Sequence, residues 1–211
     1  MIPANDTYLI HDEDEIKVWS CPKLERAKVQ EFVLEAAPDH WRMFWRGSYQ
    51  RTKEYQWMIP VPWLYMRYSI ANVNRYDTID GKRQIVQGLN LQVSRLAIST
   101  DPSANWWDGT AHRPCLPNVR GFATCGAVVS SNEAVLLTDP SLVAGWALAS
   151  FFDSIGNDHY TFKDSPWWRH LGATDHVSFY SAWENTTMED VFAFKWDNAG
   201  PLHKALGFTV R

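Results

Sequence analysis

The residues best suited to chemistry lie in a turn-rich stretch, residues 113–128, which holds two of the three cysteines of the chain. Within it, Cys125 is followed by Gly126 and preceded by Asn118. A cysteine nucleophile needs an exposed thiolate and nearby donors that stabilise an oxyanion, and an asparagine amide is such a donor. The stretch therefore predicts a nucleophilic role for Cys125, with Asn118 as the amide donor.

The alternative role for these thiols is structural, because free cysteines are usually small buried residues of a core. Cys115 lies between Pro114 and Leu116, and we interpret it as a packing residue. Exposure distinguishes the two hypotheses for Cys125. A nucleophile would lie at the mouth of a groove beside Asn118, whereas a structural cysteine would be packed among aromatic rings.

Other common catalytic and binding motifs are absent from the sequence. It has no zinc-ligand spacing of the types C-x-x-C, H-x-x-x-H or H-E-x-x-H. It also has no nucleotide-binding glycine motif and no G-x-S-x-G nucleophile elbow. The sequence therefore predicts neither a metal nor a cofactor.

The composition is typical of a soluble globular protein: 211 residues, of which 45% are hydrophobic and 21% charged. The formal net charge of −4 gives no electrostatic basis for binding nucleic acid. No segment approaches the ~20 apolar residues of a membrane span. Three cysteines do not form a disulfide framework and the N-terminus does not resemble a secretion signal, so we expect a cytoplasmic protein.

The chain is rich in tryptophan, with twelve in all. Tryptophan is common both in partly buried cores and at interfaces, where its ring packs and its N–H finds an acceptor. The content predicts either core packing or extensive contacts with partner proteins.

The hydrophobic pattern predicts an α+β fold that begins with a helix. An apolar stripe with helical spacing indicates that this helix begins at Ser20, with Pro22 in its first turn, and ends near Ala37. The members of the stripe are Val29, Phe32, Val33 and Ala36.

After the first helix, aromatic and aliphatic segments predict an antiparallel meander of three or four strands. The clearest segments are residues 55–59, 63–71 and 89–95. Asp80 and Gly81 form a turn signal, although we expect a connection longer than a two-residue hairpin loop.

The Pro-rich stretch is followed by a second predicted helix, capped by Asp139 or Ser141 and ending near Gly156. The remainder is predicted to be irregular and rich in aromatic residues, apart from a strand or helix at residues 188–196. No repeat or linker divides the sequence, so we expect a single domain, 1–211. Its core would span residues 1–156, with an extension at residues 157–211.

This order of helix, meander, Pro-rich flap, cysteine and second helix resembles the ubiquitin-conjugating-enzyme (RWD-like) fold. That family carries a His-Pro-Asn tripeptide ahead of its catalytic cysteine, and this chain has Leu116-Pro117-Asn118 ahead of Cys125. The chain more closely resembles the bacterial conjugating-enzyme-like family called PRTRC system protein B. The residues that carry this resemblance are Asn118-Val119, Gly121, Cys125-Gly126, Trp146, Ala149, Phe151-Phe152 and Ser154.

The resemblance implies a protein that accepts a ubiquitin-like protein as a thioester on Cys125, while Asn118 orients the flap or polarises the carbonyl. A ubiquitin-like protein and its activating enzyme would then be the partners. Two alternatives remain open. The tryptophan content also fits a structural or accessory protein of a larger assembly, such as a phage virion, and an inactive RWD-like binding module lies between the two. Whether the protein is an enzyme is therefore left open.

Overall fold

The computed structural model describes residues 8–13, 16–21, 29–45, 54–101, 106–124, 128–131, 140–153, 155–156 and 163–209. These residues form a mixed α+β fold with a mostly antiparallel sheet, which confirms the predicted class. In chain order the elements are β1 Tyr8–Glu13, β2 Ile16–Ser20, β3 Val29–Ala36, β4 Asp39–Trp45, β5 Tyr55–Val61, β6 Trp63–Ile79, β7 Lys82–Ser99, β8 Val119–Arg120, β9 Ala123–Thr124, β10 Val128–Ser131, α1 Pro140–Phe152, β11 Ile155–Gly156, α2 Pro166–His170, α3 His176–Glu184, α4 Met188–Ala193 and α5 Leu202–Ala205.

The strands form a large and a small sheet. The large sheet has the order β1-β2-β3-β6-β7-β9-β8, and β10 also pairs with β7. The small sheet has the order β11-β4-β5, in which β4 and β5 are antiparallel and β11 runs parallel to β4. The predicted strands at residues 55–59, 63–71 and 89–95 are confirmed as parts of β5, β6 and β7.

The prediction of an N-terminal helix from Ser20 to Ala37 is wrong. Ser20 ends strand β2, and the apolar stripe lies on strand β3, which pairs with β2 on one side and β6 on the other. Both faces of β3 are buried, because Phe32 and Leu34 pack in one hydrophobic cluster and Val33 packs in the other. The centre of β3, Phe32-Val33-Leu34, is buried on both faces and therefore does not alternate between apolar and polar residues, and together with Val29 and Ala36 it also fits helical spacing. Pro22 lies outside the described residues.

The connection between β6 and β7 also differs from the prediction. Ile79 pairs with Lys82, so the loop consists of two residues, Asp80 and Gly81. Both have positive φ, 52° and 73°, which is the sign pattern of a type I′ hairpin turn. An Asp-Gly pair supplies this turn directly and needs no longer connection.

The core consists of two hydrophobic clusters that receive alternate residues of the large sheet. Leu64 and Met66 of β6 pack in the first cluster, with α1, the small sheet and rings of α2 and α3. Tyr65, between them, packs in the second cluster, with Trp106 and α5. Alternation along a strand directs neighbours to opposite faces, so the C-terminal helices cover both faces of the sheet.

The prediction of an irregular C-terminal part is wrong, because residues 166–205 contain four short helices. Two of them, α3 and α4, begin with capping boxes formed by Asp175 with Ser178 and by Thr187 with Asp190. Three of these helices have six residues or fewer, and α3, with nine, spans only about two and a half turns, so a periodic apolar stripe is hard to see in them.

Within the described residues, the tryptophans mainly fill the core. Those that are buried are Trp57, Trp106, Trp107, Trp167, Trp168, Trp183 and Trp196. The Trp167 ring, for example, contacts three other aromatic rings, with centroid distances between 4.8 and 5.9 Å: those of Trp183, Phe194 and Trp196. Among the described helices, none is long and apolar enough to cross a membrane.

Candidate functional site

The Pro-rich loop that precedes Cys125 is fixed to the sheet and to the C-terminal part of the chain. His112 forms a β-bridge with Ile98 of β7. Its Nδ1 lies 2.7 Å from the carbonyl oxygen of Asp197, so Nδ1 must carry the proton. Nε2 then accepts from the hydroxyl of Thr100 at 3.3 Å. The loop therefore starts from an anchored histidine whose tautomer is set by its surroundings.

Cys115 occupies a strained position in this loop. Its φ is 49°, in the left-handed region that residues other than glycine and asparagine seldom adopt. The hydroxyl of Tyr180 in α3 donates a hydrogen bond to the Cys115 carbonyl at 3.3 Å. A buried contact from a distant helix thus helps to hold the backbone in this conformation.

The side chain of Cys115 is a packing residue, as predicted. It is buried in the first hydrophobic cluster, and burial raises the pKa of its thiol to about 12. Cys21 is also buried and free, and burial likewise raises its thiol pKa to about 12. At neutral pH both thiols stay protonated, and a protonated buried thiol is a poor nucleophile.

Asn118 follows Pro117 at the end of the loop and is buried, with 8% of its surface exposed. Its φ is 61°, a conformation that asparagine tolerates better than most residues. Asn118 directly precedes β8, so its backbone turn connects the Pro-rich loop to that strand.

Strands β8 and β9 form a short hairpin after Asn118. Val119 pairs with Thr124, and Arg120 pairs with Ala123, which in turn pairs with Arg95 of β7. The hydroxyl of Thr124 donates to the carbonyl oxygen of Val93, which ties the hairpin to β7 a second time. Val119 directly follows Asn118 and Thr124 directly precedes Cys125, so the neighbours of the two predicted site residues are paired.

Of the two predicted site residues, the structure thus describes Asn118, while Cys125 lies outside the described residues. Thr124, one residue before it, is half-buried.

A small cleft of about 190 Å³, including the space at its open mouth, lies beside the Pro117-Asn118 turn. Asn118 supplies the polar side chain of its lining. The other lining residues are apolar: Met43, Phe44, Pro117, Phe151 and Phe152. This volume is below the roughly 300–1,000 Å³ of a ligand-binding cleft, so it is a small surface depression beside the turn and not a peptide groove.

Sequence reasoning missed the residues that position this loop from a distance. Tyr180 contacts Cys115, and Arg113 forms an ion pair with Asp197 at 3.7 Å, although both partners come from the C-terminal part of the chain. The aromatic and acidic residues of that region carried no periodic or motif signal that related them to the loop. By contrast, the Phe151-Phe152 pair of the cleft had been singled out by the family resemblance.

The described part of the chain contains no group of three or more histidine, cysteine, aspartate or glutamate residues arranged to hold a metal ion. His170 is the last residue of α2 and stacks on the Trp167 ring, and His176 is the first residue of α3 and contacts the Trp168 ring edge-on.

Comparison with known proteins gives no family for the chain: no family model, no curated protein and no solved structure matches it.

Proposed function

We propose that this chain is a ubiquitin-conjugating-enzyme-like protein that carries a ubiquitin-like protein as a thioester on Cys125. The observation that supports this most is the state of the other two thiols. Cys21 and Cys115 are buried with pKa values raised to about 12, so Cys125 is the one cysteine left for thiolate chemistry. It also follows a hairpin whose opposite strand begins directly after Asn118.

The proposed step is a transthiolation. The Cys125 thiolate attacks the carbonyl carbon of the thioester between the modifier and its activating enzyme, forming a new carbon–sulfur bond. The bond to the activating enzyme's sulfur breaks, and that sulfur leaves as the thiolate. The Asn118 amide N–H would stabilise the negative oxygen of the tetrahedral intermediate or hold the flap in the geometry that does so.

Three features of the described structure support this assignment. Strands β3, β6 and β7 lie side by side in one antiparallel sheet, and the Pro-rich loop follows β7. Helix α1 comes after the cysteine segment, which is the order of the conjugating-enzyme fold. Asn118 ends the loop with a left-handed φ of 61° directly before the β8–β9 hairpin, which leads to Cys125 in the sequence. In this proposal residues 157–211 are an extension that supports the flap through Tyr180 and Asp197.

A second candidate is an inactive binding module of the same fold class. It is favoured by the N-terminal region, where strands β2 and β3 stand in place of the expected helix. In this case, Asn118 would be a turn residue with no part in chemistry, and the protein would serve as an accessory subunit of an assembly.

The test is a non-reducing gel of the full chain incubated with the products of its neighbouring genes and ATP. Conjugation predicts an adduct that dithiothreitol removes and that Cys125→Ala abolishes. The matched control is Cys115→Ala, which removes a buried thiol and should leave the adduct in place if the variant folds. An adduct that persists in Cys125→Ala would remove Cys125 from the mechanism.

Asn118→Ala separates the two roles of the asparagine. If the amide stabilises the oxyanion, adduct formation slows by about 100-fold while the folded state survives. If Asn118 is a turn residue alone, Asn118→Gly preserves the left-handed φ and retains full adduct formation. Circular dichroism of each variant reports whether the fold is kept.

A further inference from the structure

Residues 197–208, which include α5, pair with the loop that leads into the Pro-rich stretch. The backbone N–H of Leu202 donates to the carbonyl oxygen of Gly109 at 2.7 Å, and that of Ala111 donates to the carbonyl oxygen of Gly200 at 2.8 Å. The 197–208 segment therefore lies along this loop, with an antiparallel β-bridge between them.

A buried histidine lies near each end of this pairing, and each donates a hydrogen bond across it. His203 Nδ1 lies 2.6 Å from the carbonyl oxygen of Trp107, and His112 Nδ1 lies 2.7 Å from that of Asp197. The two histidines are 6% and 7% exposed. A carbonyl oxygen only accepts, so Nδ1 carries the proton in both rings, and Nε2 of each neutral ring is an acceptor.

The two histidines differ at Nε2. His112 Nε2 lies 3.3 Å from the hydroxyl of Thr100, which can rotate to accept a hydrogen bond as well as donate one. His203 Nε2 is buried and, within the described residues, has no hydrogen-bond partner. A second proton on His203 would therefore be a buried donor on a charged ring with nothing to accept its hydrogen bond. The stacked Trp107 ring attracts a cation at its face but offers no acceptor to the Nε2 edge.

The charged groups around α5 do not supply the missing acceptor. None of the described carboxylates forms a hydrogen bond with His203 Nε2. Arg67 and Arg95 donate to carbonyl oxygens at the C-terminal end of α5, so positive charge already faces this helix. Within the described residues, the charged groups on α5, on the loop and on the sheet face that α5 covers are Lys17, Glu31, Glu35, Arg67, Arg95, Asp101, Asp108 and Lys204.

The other titratable groups on this face leave His203 as the one that a weak acid would charge. Two of the carboxylates, Glu31 and Glu35, are paired with cations. Burial raises the pKa of Tyr65 and of Cys21, so both stay uncharged in weak acid as at neutral pH.

We propose that His203 is an acid-sensitive switch: a second proton on its ring releases the 197–208 segment from the loop and uncovers the aromatic cluster beneath α5. The neutral ring fits its buried site, whereas the charged ring is better accommodated in the open segment, where water accepts from Nε2. The closed segment is therefore stable above the ordinary range of histidine, about pH 6.5, and loses stability as the pH falls below it.

Release of the segment also affects the Pro-rich loop. Asp197 belongs to the same segment and contacts both His112 and Arg113 at the start of that loop. Opening removes both contacts, while the hydrogen bond from Tyr180 to Cys115 is independent of the segment. The proposal does not depend on Cys125 chemistry.

The first test is amide hydrogen exchange of the full chain at about pH 7.5 and about pH 5, corrected for the intrinsic exchange rates. We expect the opening equilibrium reported by the Leu202 and Leu206 amides to rise by about 30-fold in acid. That is the ratio for a histidine that titrates normally when open and takes no second proton when closed. Amides of β6, which is paired on both sides, are the internal reference and should change little. Equal protection of the segment at both pH values would overturn the proposal.

His203→Asn is the decisive variant, because an asparagine amide can still donate to the Trp107 carbonyl but cannot take up a proton. We expect the difference between the two pH values to vanish. His112→Asn is the matched control from the other end of the pairing and should keep the rise. A rise that survives in His203→Asn, or one that is lost in His112→Asn, would show that another group is the switch.

A measurement on the unsubstituted chain keeps the proposal testable if a variant fails to fold. Nitrogen-15 NMR of the imidazole rings follows the second proton on His203 directly. We expect His203 to gain it together with the loss of amide protection in the 197–208 segment. A ring that gains the second proton while the segment stays protected would overturn the proposal.

Discussion

Two segments within the described residues contain non-glycine residues with left-handed backbone, and they are held in opposite ways. At the tip of the arm, the outer part of the β6–β7 hairpin at residues 72–89, Asp80 and Gly81 adopt positive φ on an exposed two-residue turn. In the Pro-rich loop, Cys115 and Asn118 adopt positive φ while buried. An Asp-Gly pair adopts the turn conformation readily by itself. Cys115 does not favour its left-handed conformation, which is held by contacts from other parts of the fold.

The difference shows where each segment gets its stability. The arm tip depends on its own two residues and on the strand pairing next to them. The loop depends on α3, which reaches it through Tyr180 and is itself held on the small sheet. Trp183 of α3 donates to the carbonyl of Pro60, and Trp57 of β5 donates to Ser181. Substitutions far along the chain should therefore affect the loop, whereas the arm should respond to local changes.

The largest effect is expected from Tyr180→Phe. The hydroxyl donates to the Cys115 carbonyl in a buried site, and burial raises the pKa of Tyr180 well above its usual value, so it remains a donor at all ordinary pH. Removing the hydroxyl takes one hydrogen bond from the buried Cys115 carbonyl and should lower the free energy of unfolding by about 2 kcal/mol. Urea denaturation measures the change.

The control for Tyr180→Phe is Tyr76→Phe on the arm, where the hydroxyl is on an exposed residue. Its effect on the free energy of unfolding should be within about 0.5 kcal/mol. Equal losses in both variants would contradict the view that the loop, unlike the arm, is held by distant residues.

A smaller effect is expected from Gly81→Ala. The added Cβ meets no atom within 4 Å, so the cost comes from the φ of 73° alone. We expect the free energy of unfolding to fall by about 1 kcal/mol, seen in amide hydrogen exchange as faster opening confined to the arm.

Gly145→Ala is the matched control, because Gly145 lies in α1 with equally open space and helical backbone. It should stabilise the protein by up to about 1 kcal/mol, and a loss there would point to a hidden contact.

Asp175→Ala tests whether the start of α3 matters for the loop. Asp175 caps α3 by accepting from the backbone N–H of Ser178 at 2.7 Å, and that bond is the main cause of its pKa being lowered below 3.8. Losing the cap should lower the free energy of unfolding by about 1 kcal/mol at neutral pH.

The pH dependence of this difference follows from the sign of the shift. A carboxylate whose pKa is lower in the folded state contributes stability above its unfolded pKa and loses it as the pH falls through the folded value. The wild type and Asp175→Ala should therefore converge in stability in acid, below the ordinary pKa of 3.8. A difference that persists at lower pH would mean that the carboxylate acts through something other than its charge.

The smallest effect is expected from Ile85→Ala. Ile85 is 63% exposed, so truncating it removes little buried area and should change the free energy of unfolding by less than about 0.5 kcal/mol. A loss of more than about 2 kcal/mol would mean that the arm packs against its own chain.

Several parts of the fold could be predicted from local pattern. Strands β5, β6 and β7 follow from aromatic and β-branched segments. The start of α1 was predicted correctly, but its predicted end near Gly156 is wrong, because α1 ends at Phe152 and Gly156 lies in strand β11. Strand β3 could not be distinguished from a helix, because its centre, residues 32–34, is buried on both faces and is apolar without alternation. The four C-terminal helices are too short for a periodic stripe.

For the candidate site, the sequence by itself determined the chemical inventory: three thiols, an asparagine after a proline, and no metal-binding or nucleotide-binding motif. It also determined the turn at Asp80 and Gly81, because those residues adopt that geometry on their own. The tertiary structure decided that Cys21 and Cys115 are inert, since a thiol pKa depends on what surrounds the sulfur and not on its neighbours in sequence. It likewise decided that a strained Cys115 is held by Tyr180, because contacts between residues so far apart in the chain exist only once the sheet and helices have packed.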